Sequence, residues 1–174
     1  MESADHPVTK SPAGPRPAAA VAFVRDGRHG IEIYLSRRPA HFRYFPGAYV
    51  FPGGRAESDD ADLRATARRE VKEEIGVDID PGRLALLRET HTAAHAGPVY
   101  HLFIFAYRVD GEMTTSINAE EVDEEMWIGA RDALARLDLP YQIMLAVQAV
   151  SRFDSAAELF AELQSRSVDG EYLF

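Results

Sequence analysis

Three carboxylates stand where a helix least favours them. In Arg69-Glu70-Val71-Lys72-Glu73-Glu74-Ile75-Gly76-Val77, residues Glu70, Glu73 and Glu74 are spaced i, i+3, i+4 and so share one helical face. They fall in the last two turns before a glycine, beside the negative end of the helix dipole, where an acid is unfavourable by about 0.3–1 kcal/mol. Glu70 and Glu74 add a like-charge pair at i, i+4. Two chemistries fit this pattern. Either the acids form a solvated face on which Arg69 pairs with Glu73, or they form a hard-cation site, because Mg²⁺ takes carboxylate oxygens together with waters and substrate phosphates. Uncompensated breaks of local preference are what functional sites carry.

The elements that must hold these acids can be read around them. The spacing predicts a helix from about Asp62 to Ile75, with Asp59, Asp60 or Asp62 as N-cap and Ala67, Val71 and Ile75 as its apolar stripe. Gly76 is the C-cap, and Val77 can fold back on Val71. Ahead of the helix, Pro52-Gly53-Gly54 forces a sharp turn into the acidic segment of Glu57, Asp59, Asp60 and Asp62.

This stretch resembles the signature of the Nudix hydrolases, G-x5-E-x7-R-E-U-x-E-E-x-G-U with U aliphatic. Every position from Arg69 to Val77 matches; the front half departs, with Asp60 in place of the first Glu and eight residues instead of seven before Arg69. The extra residue leaves the pairing partner of Arg69 open. The resemblance implies an α/β fold, the Nudix-type α/β/α sandwich with a mixed β-sheet and a loop-helix-loop catalytic motif. It also implies Mg²⁺ or Mn²⁺ held by Glu70, Glu73 and Glu74, with Arg69 orienting the carboxylates and the backbone of Gly53 and Gly54 letting substrate come close. The general base would be one of these glutamates or Glu121.

A second resemblance lies upstream. Members of the family that cleave coenzyme A carry L-L-T-x-R-(S/A)-x3-R-x3-G-x3-F-P-G-G, and Leu35, Arg38, Arg43, Gly47, Phe51, Pro52, Gly53 and Gly54 fall in register with it. Tyr34, Ser36 and Pro39 depart from it. Arginine is the preferred phosphate ligand and an aromatic ring can stack on a base, so Arg38, Arg43, Phe45, Tyr49 and Phe51 are the candidate substrate walls; the bland reading makes this loop scaffold. The resemblance implies hydrolysis of a nucleoside diphosphate linked to another moiety, with coenzyme A or an acyl derivative preferred and ADP-ribose, NADH or another dinucleotide diphosphate as the alternative. A ligand sensor without turnover is a third reading, against which the complete carboxylate set argues. A prenyl-diphosphate isomerase shares the fold, but no cysteine is present for its usual chemistry.

Composition bounds the rest. The chain has 174 residues, enough for one domain with a sizeable core. Residues 1–16 read as a disordered arm and residues 17–174 as a single domain. A net charge of −9 disfavours a domain built to grip nucleic-acid backbone. No hydrophobic run is long enough to span a membrane, the N-terminus lacks a signal core, and the absence of cysteine fits a cytoplasmic home.

In chain order, two apolar runs flank Asp26-Gly27-Arg28-His29-Gly30, predicting a hairpin with a longer loop and a core of Val21, Phe23, Ile31, Ile33 and Leu35. A strand starts at Arg83, and Val99 to Arg108 is expected to be a central strand. His91, His95 and His101 fit no metal-ligand spacing and read as ordinary loop and strand residues. The acidic run of Glu120, Glu121 and Glu124 leads into a short strand with Trp127 as core or pocket wall. In the family such a loop lies over the metal site, which makes those three acids candidates and Glu121 a further metal ligand. Helices at Ala130–Leu137, Tyr141–Phe153 and Ser155–Ser165 follow; the last two either cover the sheet or make a homodimer surface.

Overall fold

The computed structural model describes residues 14–92 and 99–168. Its central element is the small-residue and β-branched run Ala18–Val24, apolar on both parities, which makes β1 (Arg16–Gly27) a strand buried on both faces. Ala19, Val21 and Phe23 face one layer while Ala20, Ala22 and Val24 face the other. Strand β1 takes in Arg16, whose N–H donates to the Val99 carbonyl at 3.0 Å, so the strand begins inside the stretch read as an arm. Residues 1–13 of that arm lie outside the described residues.

The sheet is mixed. β1 runs antiparallel to β2 (Gly30–Arg37) and parallel to β6 (Tyr100–Arg108), and β6 runs antiparallel to β5 (Ala85–His91). β3 (Tyr49–Val50) and β7 (Glu124–Gly129) pair with β2, and β4 (Gly53–Arg55) pairs with β1. The strand read from Val99 to Arg108 is thus central, between β1 and β5. Two boundaries differ from expectation. The first hairpin is tight, with Gly27 paired to Gly30 across Arg28-His29, because Asp26 and Gly27 continue the ladder instead of joining the loop. β5 starts at Ala85 because Asp80 accepts from the Gly82 N–H and caps a 3-10 turn at Pro81–Arg83.

Helices cover both faces. On one, α1 (Leu63–Ile75) lays Ala67, Val71 and Ile75 against Ala19, Val21, Phe23, Tyr34 and Phe105. Val71 and Ile75 are fully buried, each contributing about 1.5–3 kcal/mol relative to exposure. On the other, α2 (Ala130–Arg136), α3 (Tyr141–Val150) and α4 (Ala156–Val168) pack Ala133, Ile143, Val147, Val150, Leu159 and Leu163 onto Ile33, Leu35, Ile104 and Ala106. The last two helices therefore cover the sheet.

Candidate metal and phosphate site

Two aspartates divide the entry to α1. Asp62 is the N-cap, accepting from the Ala65 N–H at 2.8 Å. Asp60 lies outside the helix and holds Arg69 in a two-pronged pair, Nε to Oδ1 at 3.0 Å and Nη2 to Oδ2 at 2.9 Å. The Thr66 hydroxyl and the Glu57 N–H also donate to it, each at 2.9 Å. Hydrogen bonding from Arg69 holds the Asp60 carboxyl well below the usual carboxylate range. The extra residue in the signature is thus absorbed in the loop, and Asp60 is the partner left open by the sequence. Arg69 is then saturated: it also donates to Glu70 at 2.8 Å, to Glu73 at 3.1 Å and to the Arg55 carbonyl at 3.0 Å. The pairing with Glu73 belongs to this network, so the solvated-face contact and the organised site coexist.

The two glycines let parts of the protein itself come close. A Cβ on Gly53, whose φ is +157°, would stand 2.3 Å from the Ala19 carbonyl oxygen. One on Gly54 would stand 2.6 Å from the carboxylate of Glu70. In the Cβ direction, the space they clear is taken by β1 and by Glu70. That close approach lets the Gly53 N–H donate to Glu74 Oε2 at 3.0 Å. Glu74 is 9% exposed, and burial pushes its carboxyl up to about 8 despite the Gly53 N–H. Burial likewise raises Glu70, against the opposing pull of Arg69. Glu73 is about half exposed.

The acidic loop is tied to the end of α1. Its Ser116 N–H donates to the Ile75 carbonyl and its Asn118 N–H to the Glu74 carbonyl, both at 2.8 Å, satisfying carbonyls that a helix end leaves unpaired. Lys72 supplies the cation of the last turn. Asn118 Nδ2 also donates to Glu121 at 3.3 Å, and the charge of Glu121 reaches both Glu70 and Glu74. Glu124 is committed elsewhere, to Arg37 at 3.1 Å and to the Tyr49 hydroxyl, and Glu120 is exposed.

The donor set fits a hard divalent cation. Glu74 is a buried carboxylate whose like-charged neighbours Glu70 and Glu121 raise its proton affinity, the condition a bound cation relieves. Among the described residues no three acids or histidines already stand at ligating spacing, so a cation would have to draw these carboxylates together.

Upstream, the loop between β2 and β3 closes through Arg38 N–H to the Ala48 carbonyl at 3.0 Å and Gly47 N–H to the Arg38 carbonyl at 3.1 Å. Arg38 is partly buried, its guanidinium lying 4.7 Å from the Phe42 ring centroid, with Nε donating to the Tyr44 carbonyl. Burial lowers its proton affinity while Glu74, Glu121 and Tyr100 act in the opposite sense, so this cation lies within the field of the carboxylates. Arg43 is exposed and packs on Tyr44. Phe45 is exposed at a positive φ of 51°, a conformation uncommon for a bulky side chain. Tyr49 is partly buried. The ring of Phe51 is 2% exposed and lies in the core under α2–α4, a scaffold position rather than an open wall.

His101 pairs with Glu89 and stacks on His91 at 4.4 Å, and no metal trio forms among the described residues; His95 lies outside them. Trp127 packs edge-on against Tyr34 with Arg25 over its ring, a wall of the core. Sequence reasoning missed Ser116 and Asn118, whose ties to the end of α1 are backbone donors invisible to residue type, though Asn118 also reaches Glu121 with its side chain. It also missed Tyr34, whose hydroxyl donates to Glu125 and whose proton affinity is raised by burial first and by Glu125 and Glu74 next.

Known proteins share both the sequence pattern and the fold. Over 60 residues, 34% of this chain and 30% of the relative, it is 40% identical to an "uncharacterized Nudix hydrolase NudL" of Enterobacter sp. (strain 638). Over 75 residues, 41% of this chain and 26% of the relative, it is 37% identical to "Nudix hydrolase 15, mitochondrial" of Arabidopsis thaliana. The matched stretch thus spans less than a third of those curated relatives. A crystal structure of a NUDIX hydrolase from Alicyclobacillus acidocaldarius superposes with a TM-score of 0.76 at 22% identity, covering 84% of this chain and 96% of that one. The family model described as the NUDIX domain matches residues 14–146, and the chain belongs to the Nudix family.

Proposed function

We propose that the protein is a metal-dependent diphosphatase that hydrolyses a nucleoside diphosphate linked to another moiety. The observation that carries this reading is the buried carboxylate of Glu74, held against the Gly53 N–H within the field of Glu70 and Glu121. A diphosphate repels a water nucleophile, and its hydrolysis is mainly a problem of positioning and charge stabilisation. Mg²⁺ or Mn²⁺ bound by Glu70, Glu73 and Glu74, with Glu121 as a further ligand, would neutralise that charge and acidify a water. Arg69 keeps Glu70 and Glu73 in place while Asp60 fixes Arg69. Arg38, within the field of Glu74 and Glu121, offers a guanidinium to the phosphate. A glutamate of the cluster takes the proton of the attacking water, Glu121 being the least tightly held.

The preferred substrate is coenzyme A or an acyl derivative, giving adenosine 3′,5′-bisphosphate and phosphopantetheine. It is supported by the register of Arg38, Arg43, Gly47 and Phe51-Pro52-Gly53-Gly54 with the motif of coenzyme A diphosphatases. One observation favours a second reading, ADP-ribose or NADH: Arg38 lies in the field of the carboxylates, while Arg43 is exposed and packs on Tyr44. The test is turnover of the purified protein with Mg²⁺ or Mn²⁺ on coenzyme A, ADP-ribose, NADH and a diadenosine polyphosphate, repeated with Arg38→Ala and Arg43→Ala. The coenzyme A reading expects that substrate to dominate and both variants to raise its KM about tenfold or more. Dominant turnover of ADP-ribose or NADH, insensitive to Arg43→Ala, reduces the loop to scaffold. No turnover of any substrate moves the function to ligand sensing.

A further inference from the structure

On the face of the sheet opposite α1, a cavity of about 470 Å³ opens between β5, α3 and α4. Its floor is apolar, formed by Leu87, Leu159 and Leu163 with Phe153 at one side. Its charged lining is Arg88, Arg152 and Arg166 with one carboxylate, Glu162, so cations are in excess. Of the three, Arg166 is paired with Glu162 at 3.0 Å, whereas Arg88 and Arg152 form no ion pair among the described residues.

Arg88 is aimed at this cavity by a break in the ladder. In the β5–β6 pairing Leu86 stands opposite Phe105 and Arg88 opposite Ile104, so Leu87 is an extra residue in a β-bulge. In a regular strand Arg88 would share the α1 face with Leu86; after the bulge it is opposite Ile104, which belongs to the helical layer of α2–α4. Bulges re-aim side chains at the cost of local pairing. The re-aimed guanidinium is also left incomplete: Arg88 Nε is buried and without a hydrogen-bond partner. An unpaired buried donor of a charged group is unfavourable, and native structures carry one where something else satisfies it.

We propose that this cavity is a second binding site, distinct from the carboxylate cluster, for an anionic head group carried on an apolar tail: a carboxylate or a phosphate ester. The head would take Arg88 and Arg152, and the tail would lie on Leu87, Leu159 and Leu163. Neither half is sufficient. Inorganic phosphate lacks the tail, and an alcohol lacks the charge.

The test uses the full chain labelled with ¹⁵N and ¹³C and titrated by NMR with octanoate, octyl phosphate, octanol and inorganic phosphate. The methyl groups of Leu87, Leu159 and Leu163 report. The site predicts saturable shifts there with octanoate or octyl phosphate, at least tenfold weaker binding of octanol and of inorganic phosphate, and a further loss of tenfold or more in Arg88→Met. Arg152→Gln, an exposed position, keeps the proposal testable if Arg88→Met folds poorly, and is expected to lose severalfold. Preference for octanoate assigns an acyl carboxylate as the natural chemistry, and preference for octyl phosphate a phosphate ester. Equal binding of octanol and octanoate, binding unchanged in both variants, or no saturable shift at millimolar ligand overturns the proposal.

Discussion

At the scale of single residues, the carboxylates of this site are held in opposite electrostatic conditions. Asp60, hydrogen-bonded by Arg69, is a stabilised anion. Its folded-state pKa is depressed, so its contribution is present above the ordinary carboxylate range and fades as pH falls through and below it. Asp60→Asn is expected to destabilise the fold by about 3 kcal/mol, because Arg69 loses its fork partner beside buried groups, and a denaturant titration measures it. Glu74 is the reverse case, with its carboxyl raised from 4.5 to about 8 by burial. The native state then keeps a proton that the unfolded state has lost, so metal-free stability falls as pH rises through that window. A divalent cation must displace the proton, so metal affinity rises through the same window. Thermal unfolding from pH 5 to about 8.5, with and without Mg²⁺, checks both signs. A metal increment that shrinks as pH rises counts against Glu74 as a ligand.

At the scale of elements, α1 was legible because its ends carry their own signals. Asp62 and Gly76 cap it where expected, and Ala67, Val71 and Ile75 form the buried stripe. The central strand β6 was legible from its β-branched and aromatic content. The two short strands were not, since Tyr49–Val50 and Gly53–Arg55 hold too few residues to show a period and exist only through pairing with β2 and β1. The β5 bulge was hidden for the same reason: an extra residue changes the direction of Arg88 without changing composition. The glycines of β4 give a contrast to test. Gly53→Ala places a Cβ against backbone of β1 at positive φ, and is expected to cost 2 kcal/mol or more, read as a fall in the denaturation midpoint. For Gly54→Ala the nearest atoms are those of the Glu70 carboxylate, the far end of a side chain, so the protein is expected to fold near normally while metal affinity drops. The opposite ranking in stability would contradict this account of the turn.

At the scale of the whole molecule, the sheet separates two environments. One face carries α1 and the carboxylates, whose positions depend on β4 beneath them and on the 116–121 loop across the helix end. The other carries α2–α4 and the arginine-rimmed cavity. Metal binding is expected to act on the entire domain, because a cation that binds only the folded carboxylates adds about 2.7 kcal/mol at a hundredfold excess over Kd. For a chain of this size that corresponds to roughly 5–10 °C in Tm, and chelation removes it. The most direct measurement is product formation from coenzyme A and ADP-ribose with Mg²⁺, run in parallel for wild type and Glu74→Gln after both are shown to be folded. The account predicts metal-dependent cleavage of the diphosphate by wild type and a loss of at least a hundredfold in Glu74→Gln. Near-normal turnover by Glu74→Gln at saturating Mg²⁺ would contradict it.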